Sequence, residues 1–115
     1  MTAGQGFQNA GNGPDTVKRS HQQPAVYIMA SGRNGTIYTG VTSDIVGRVH
    51  QHREGLVSGF TRRYRCRLLV YFEIHADMLC AIAREKQIKA GSRKRKLALI
   101  ECMNPNWTDL YERIV

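Results

Sequence analysis

The chain has 115 residues, with 17 Lys and Arg against 9 Asp and Glu, a net charge of +8. That length allows one domain with a modest core, and the positive balance favours a polyanionic partner through phosphate neutralisation and counterion release. The three cysteines, Cys66, Cys80 and Cys102, form no C-x-x-C pair, no apolar run has the length of a membrane span, and the N-terminus lacks a secretion pattern; these features suggest neither a disulfide framework nor a cysteine zinc site, and the expectation is a soluble, cytoplasmic protein.

Residues 1–23 are rich in Gly, Gln and Asn and carry few apolar side chains. Such a segment cannot bury enough surface to offset its ordering entropy, so it reads as a disordered tail before a folded domain over 24–115. The first two elements are apolar, β-prone stretches, 25–30 and 36–41, joined by Ser-Gly-Arg-Asn-Gly. The Asn34-Gly35 pair is a hairpin signal. With those two as the turn residues, Arg33 pairs with Thr36 and Ser31 lies opposite Tyr38. Tyr27 and Tyr38 then share one face of the sheet.

Thr42-Ser43-Asp44 offers N-cap chemistry and Gly55 a stop, which predicts a helix of about three turns. At about 100° per residue Ile45, Val49 and Leu56 form its apolar stripe. Arg48 and His52 follow one edge of that stripe, one turn apart, towards the margin of the sheet. They are either a solvated polar edge, or a phosphate-binding fork beside an imidazole that titrates near neutrality. His50 points elsewhere, and neither it nor His21 is assigned a role. A basic loop follows, carrying Arg62, Arg63 and Arg65 with Tyr64 among them.

Leu68–Ile74 is mostly apolar and suits a central strand covered on both faces, with His75 an ordinary residue at its end. Asp77 caps a second helix, 78–90, whose stripe of Met78, Ala81, Ile82, Glu85 and Ile88 has a carboxylate near its middle. A charge there needs a partner. Lys89 supplies one at i,i+4, and a hard cation such as Mg²⁺ is the alternative. A third helix, 93–103, opens with Arg93, Lys94, Arg95 and Lys96 and ends at Asn104-Pro105. The two cationic groups are either solvated surface or backbone contacts to nucleic acid. The fold class is therefore α+β, a three-stranded antiparallel sheet flanked by helices in the order β-β-α-β-α-α.

Ala25-Val26-Tyr27, Tyr38-Thr39-Gly40, Arg48, His52 and the helix bearing Glu85 follow one another in an order that resembles the GIY-YIG nuclease superfamily, over about residues 24–111. The ending Asn104-Pro105-Asn106-Trp107-Thr108-Asp109-Leu110-Tyr111 is similar to small single-domain bacterial members, which are related to the N-terminal nuclease domain of UvrC. Three positions depart from that pattern. Ala25 replaces the opening glycine, Val41 a lysine and Leu97 an asparagine, for which Asn104 is the nearest substitute.

The resemblance implies an endonuclease that hydrolyses DNA phosphodiester bonds. Glu85 would hold Mg²⁺ or Mn²⁺, Arg48 would neutralise the phosphate, and Tyr27 or Tyr38 would take the proton of water with help from His52. Arg62, Arg63, Arg65, Arg93, Lys94, Arg95 and Lys96 would contact DNA. With no second specificity domain in the chain, structure-selective cutting of branched or damaged DNA in repair or recombination is the expectation. The alternative is a nucleic-acid-binding module that keeps the fold without the chemistry.

Overall fold

The computed structural model of the protein describes residues 23–115. The segment expected to be a disordered tail therefore lies outside the described residues, apart from Gln23. The sheet holds β1 (Ala25–Ala30), β2 (Ile37–Thr42) and β3 (Leu68–Ile74), antiparallel throughout and ordered β2-β1-β3. The helices are α1 (Ile45–Arg53), α2 (Phe60–Arg63), α3 (Met78–Ala90) and α4 (Arg93–Met103), followed by a 3-10 turn, Tyr111–Arg113. The α+β class and the order of the long elements are as the sequence predicts.

Four local features differ. The strand covered on all sides is β1, whose six residues are all buried, and β3 lies at an edge. The apolar run of β3 is explained by the C-terminal segment, which lies along that edge and donates from Leu110 N to Leu69 O at 2.7 Å. The hairpin turn spans Gly32–Gly35, closed by Gly35 N donating to Gly32 O at 3.0 Å, with Asn34 at φ 58°. Its central residues are thus Arg33 and Asn34, and the register places Tyr27 opposite Gly40 and Met29 opposite Tyr38. The shift is by two residues, so parity survives and both tyrosines do emerge on one face. Leu56 is 68% exposed and leaves the α1 stripe, and His52 takes the buried place instead. The basic loop contains the helical turn α2, which is too short to show a helical period.

Each face of the sheet has its own core. On one, Val26, Ile28, Ala30, Val70 and Tyr71 meet Ala81, Ile88 and Ile100 of α3 and α4. On the other, Ala25, Tyr27, Met29 and Leu69 meet Ile45 and Val49 of α1 and Leu110. A bulge opposite Ile28/Met29 turns both Val70 and Tyr71 to the first face. Asp44 caps α1 by accepting from Gly47 N at 3.0 Å, and Asp77 caps α3 by accepting from Cys80 N at 2.8 Å. The result leaves β2 as the free edge, with α1 on one side of it and α3 on the other.

Candidate active site

Tyr27 is 1% exposed, and its ring lies across β2 in the space that Gly40 leaves. A Cβ at Gly40 would sit 2.5 Å from Tyr27 Cζ and closer still to the hydroxyl, so only glycine fits there. The phenol thereby reaches His52, with Oη 2.9 Å from Nε2. The other ring nitrogen, Nδ1, is 3.0 Å from Thr61 Oγ1 of α2. Both polar ends of a 2% exposed imidazole are therefore satisfied. Tyr38 completes the group, its ring centroid 6.5 Å from that of Tyr27 and 5.7 Å from that of His52.

Burial sets the protonation states. It pushes the Tyr27 phenol up to about 12, with Tyr38 and Glu85 acting in the same direction and the Arg48 guanidinium against it. Burial, reinforced by Arg48, pushes His52 down to about 4. The imidazole is thus neutral at pH 7, a donor at one nitrogen and an acceptor at the other. This corrects the expectation of a solvated helix edge and a histidine titrating near neutrality: α2 folds over His52 and removes it from water.

Arg48 is half-buried, with Nη1 donating to Gln51 Oε1 at 3.1 Å, and it lines a shallow cleft with Val41, Asp44 and Met78. Glu85 approaches from α3 on the opposite side of the β2 edge. Its side chain is only 12% exposed, and Oε2 pairs with Lys89 Nζ at 2.7 Å. Lys89 is half exposed and lies 5.7 Å from the centroid of Tyr38. The neighbouring Arg84 grips Glu73 of β3 through Nε and Nη2 at 3.0 and 2.9 Å, which fixes the rotation of α3. That network, joined by Tyr71 and His75, holds the Glu73 carboxyl near 2, the Arg84, Tyr71 and His75 hydrogen bonds outweighing its burial.

A single shielded carboxylate suits a cation that keeps most of its water and takes phosphate oxygens, as Mg²⁺ does. No group of three or more His, Cys, Asp or Glu stands together among the described residues. The Lys89 ammonium already occupies the place of a cation beside Glu85.

The cationic residues divide. Arg62, Arg63 and Arg65 are exposed on and beside α2, and Lys96 lines a cleft with Tyr38, Phe60 and Lys89. Arg93 instead donates from Nη2 to Asn34 O and Gly35 O, at 3.1 and 2.8 Å, and ties α4 to the hairpin turn. Lys94 and Arg95 are exposed. Asn104 is no substitute for the asparagine replaced by Leu97. It is 5% exposed and saturated by Val70 O, Thr108 O, Thr108 N and Thr108 Oγ1 in the C-terminal turn, while Leu97 packs against the α3/α4 core. Sequence reasoning missed Phe60 and Thr61, whose turn is a single helical cycle, and the spatial reason for Gly40.

The family model of the GIY-YIG catalytic domain matches residues 23–98. The chain belongs to the GIY-YIG family. Its catalytic domain is that of a nuclease family, and its substrate is accordingly nucleic acid. A UPF0213 protein of Staphylococcus haemolyticus is 36% identical over 76 residues, covering 66% of this chain and 92% of its own length. A UPF0213 protein of Staphylococcus aureus is 37% identical over the same coverage. The solution structure of a UPF0213 protein from Bacillus halodurans aligns at 27% identity with a TM-score of 0.47, covering 76% of this chain and 92% of that one. Among the described residues no helix of this GIY-YIG protein is long and apolar enough to cross a membrane.

Proposed function

We propose that the protein is a divalent-metal-dependent endonuclease that hydrolyses DNA phosphodiester bonds. The observation that carries this reading is convergence: Tyr27, Tyr38, His52, Arg48 and Glu85 come from four elements to one edge of the sheet. Glu85 would hold Mg²⁺ or Mn²⁺. When bound, the cation supplies charge neutralisation at the phosphate and the departing 3′ oxygen. Lys89, half exposed, is free to leave Glu85 and turn to a phosphate oxygen. Arg48 presents a planar donor fork to the charge that develops on the phosphate.

A phenol at about 12 is no store of phenolate at pH 7. Tyr27 therefore acts as a relay: its Oη accepts the proton of the attacking water while its own proton passes to His52 Nε2. Thr61 holds the imidazole in the orientation that the transfer needs. The flanking cations contact backbone and carry no base-reading pattern, which supports structure-selective rather than sequence-specific cutting, in repair or recombination.

Purified protein with Mg²⁺ or Mn²⁺ is expected to nick supercoiled plasmid and branched DNA, and Glu85→Ala to lower the rate by at least about 100-fold with an unchanged circular dichroism spectrum. Equal cleavage by Glu85→Ala would remove the metal assignment. Salt-dependent binding with no cleavage of any substrate would leave a binding module.

A further inference from the structure

Two large rings, one at the start of α2 and one capping its end, stand open to solvent. Phe60 is 45% exposed and Tyr64 44% exposed, in a chain that buries its one tryptophan, Trp107, to 3%. They stand one turn apart with centroids 4.8 Å from each other. Phe60 is also 6.1 Å from Tyr38, whose ring flanks Tyr27 and His52. An unbroken file of rings thus leads from the site into solvent. Thr61, between the two exposed rings, points the other way and bonds to His52. The turn is in this way locked in register with the Tyr27 phenol.

We propose that Phe60 and Tyr64 form a stacking platform for an unpaired DNA base beside the phosphate to be cleaved, so that the substrate is single-stranded at the cut. This rests on the nucleic-acid substrate of the proposed function and names its class. Charge favours the occupant: Arg62, Arg63 and Arg65 are exposed around the rings, and the Arg63 guanidinium carbon is 5.5 Å from the Tyr64 centroid. These cations suit a phosphate backbone, while the rings suit the faces of bases. In a duplex those faces are covered by neighbouring bases, and a ring reaches them only by unstacking the helix. In a single strand they are open. Every base has a π-face, so a platform of this kind is indifferent to sequence, consistent with cations that track backbone alone.

Binding is measured by fluorescence anisotropy in EDTA, with an oligonucleotide, its blunt duplex, and an abasic strand that keeps every phosphate but lacks the bases. The single strand is expected to bind about ten-fold tighter than the abasic strand, and tighter than the duplex. Phe60→Ala and Tyr64→Ala should each erase most of that difference, and Phe60→Trp should keep it. Equal affinity for the intact and abasic strands, tighter duplex binding, or a natively folded Phe60→Ala with unchanged discrimination would each overturn the platform. Should Phe60→Ala unfold, the abasic comparison with the unaltered protein decides alone. EDTA separates this outcome from the chemistry. Discrimination without any cleavage in Mg²⁺ or Mn²⁺ sinks the endonuclease and leaves the platform. Cleavage of duplex, with no preference for open strands, sinks the platform and leaves the endonuclease.

Discussion

His52 shows how one side chain takes its chemistry from its surroundings rather than its type. Free histidine titrates at 6.5, whereas here desolvation and Arg48 hold it near 4. The unfolded chain therefore binds more protons than the folded one between those two values, and stability falls as pH is lowered through that window. Above 6.5 both states are neutral at this position and nothing is lost. The full loss, reached near pH 4, is about 3 kcal/mol at 1.36 kcal/mol per unit. Urea midpoints at several pH values between 4 and 7 should show this slope, and His52→Gln should flatten it. An unchanged slope in that variant would mean that another group is responsible. The contribution of Glu73 is distinct, being present above its usual 4.5 and lost as pH falls towards about 2. Residue identities were legible from the sequence, because Tyr27, Tyr38, Arg48 and Glu85 sit in a fixed order along the chain. The state of His52 was not, because the group that dries it, Thr61, belongs to a turn too short to carry a period.

Between β1 and β2 the decisive quantity is register. A two-residue turn at Asn34-Gly35 would set Tyr27 opposite Thr42, with a branched side chain under the phenol. The four-residue loop Gly32–Gly35 sets it opposite Gly40, and the ring crosses the strand without obstruction. Parity is the same in both cases, which is why the shared face of the tyrosines was readable while the role of Gly40 was not. The choice between the two turns lies in the left-handed conformation of Asn34 and in Ser31, whose Oγ accepts from Thr36 N at 3.0 Å. Similar reasoning explains β3: its apolar run signals cover on both faces but not its place in the sheet, which pairing to β1 and the C-terminal segment decide. Gly40→Ala should therefore push the phenol off His52. Expected are a destabilisation of about 1–3 kcal/mol by overpacking and a fall in cleavage rate larger than that loss of folded protein explains. Denaturant unfolding and single-turnover cleavage, measured on the same preparation, test this. Native stability together with native rate would show that the ring can lie elsewhere.

For the whole molecule, charge is distributed by use. On the β3 side the acids are engaged, Glu73 by Arg84 and His75, and Asp109 by Arg53. Along the β2 edge the balance reverses: Arg62, Arg63, Arg65 and Lys96 pair with no carboxylate among the described residues, and Glu85 is met by Lys89. Unpaired positive charge thus gathers on one side of this small α+β domain, the side that holds the tyrosines. A net charge of +8 alone could not place that asymmetry, since it needs α2 and α3 to be folded against the same edge. If this edge takes single-stranded DNA, each arginine that meets a phosphate releases a counterion and steepens the salt dependence by about 0.7 in the logarithmic slope. Replacing Arg62, Arg63 and Arg65 together by Gln should make that slope shallower by about 2, weakening binding most at low salt. Replacing Lys94 and Arg95 by Gln, on the exposed start of α4, should change it less. Binding isotherms across a salt series measure both slopes. A larger change from the α4 pair than from the three arginines would move the strand away from α2 and onto the other helix.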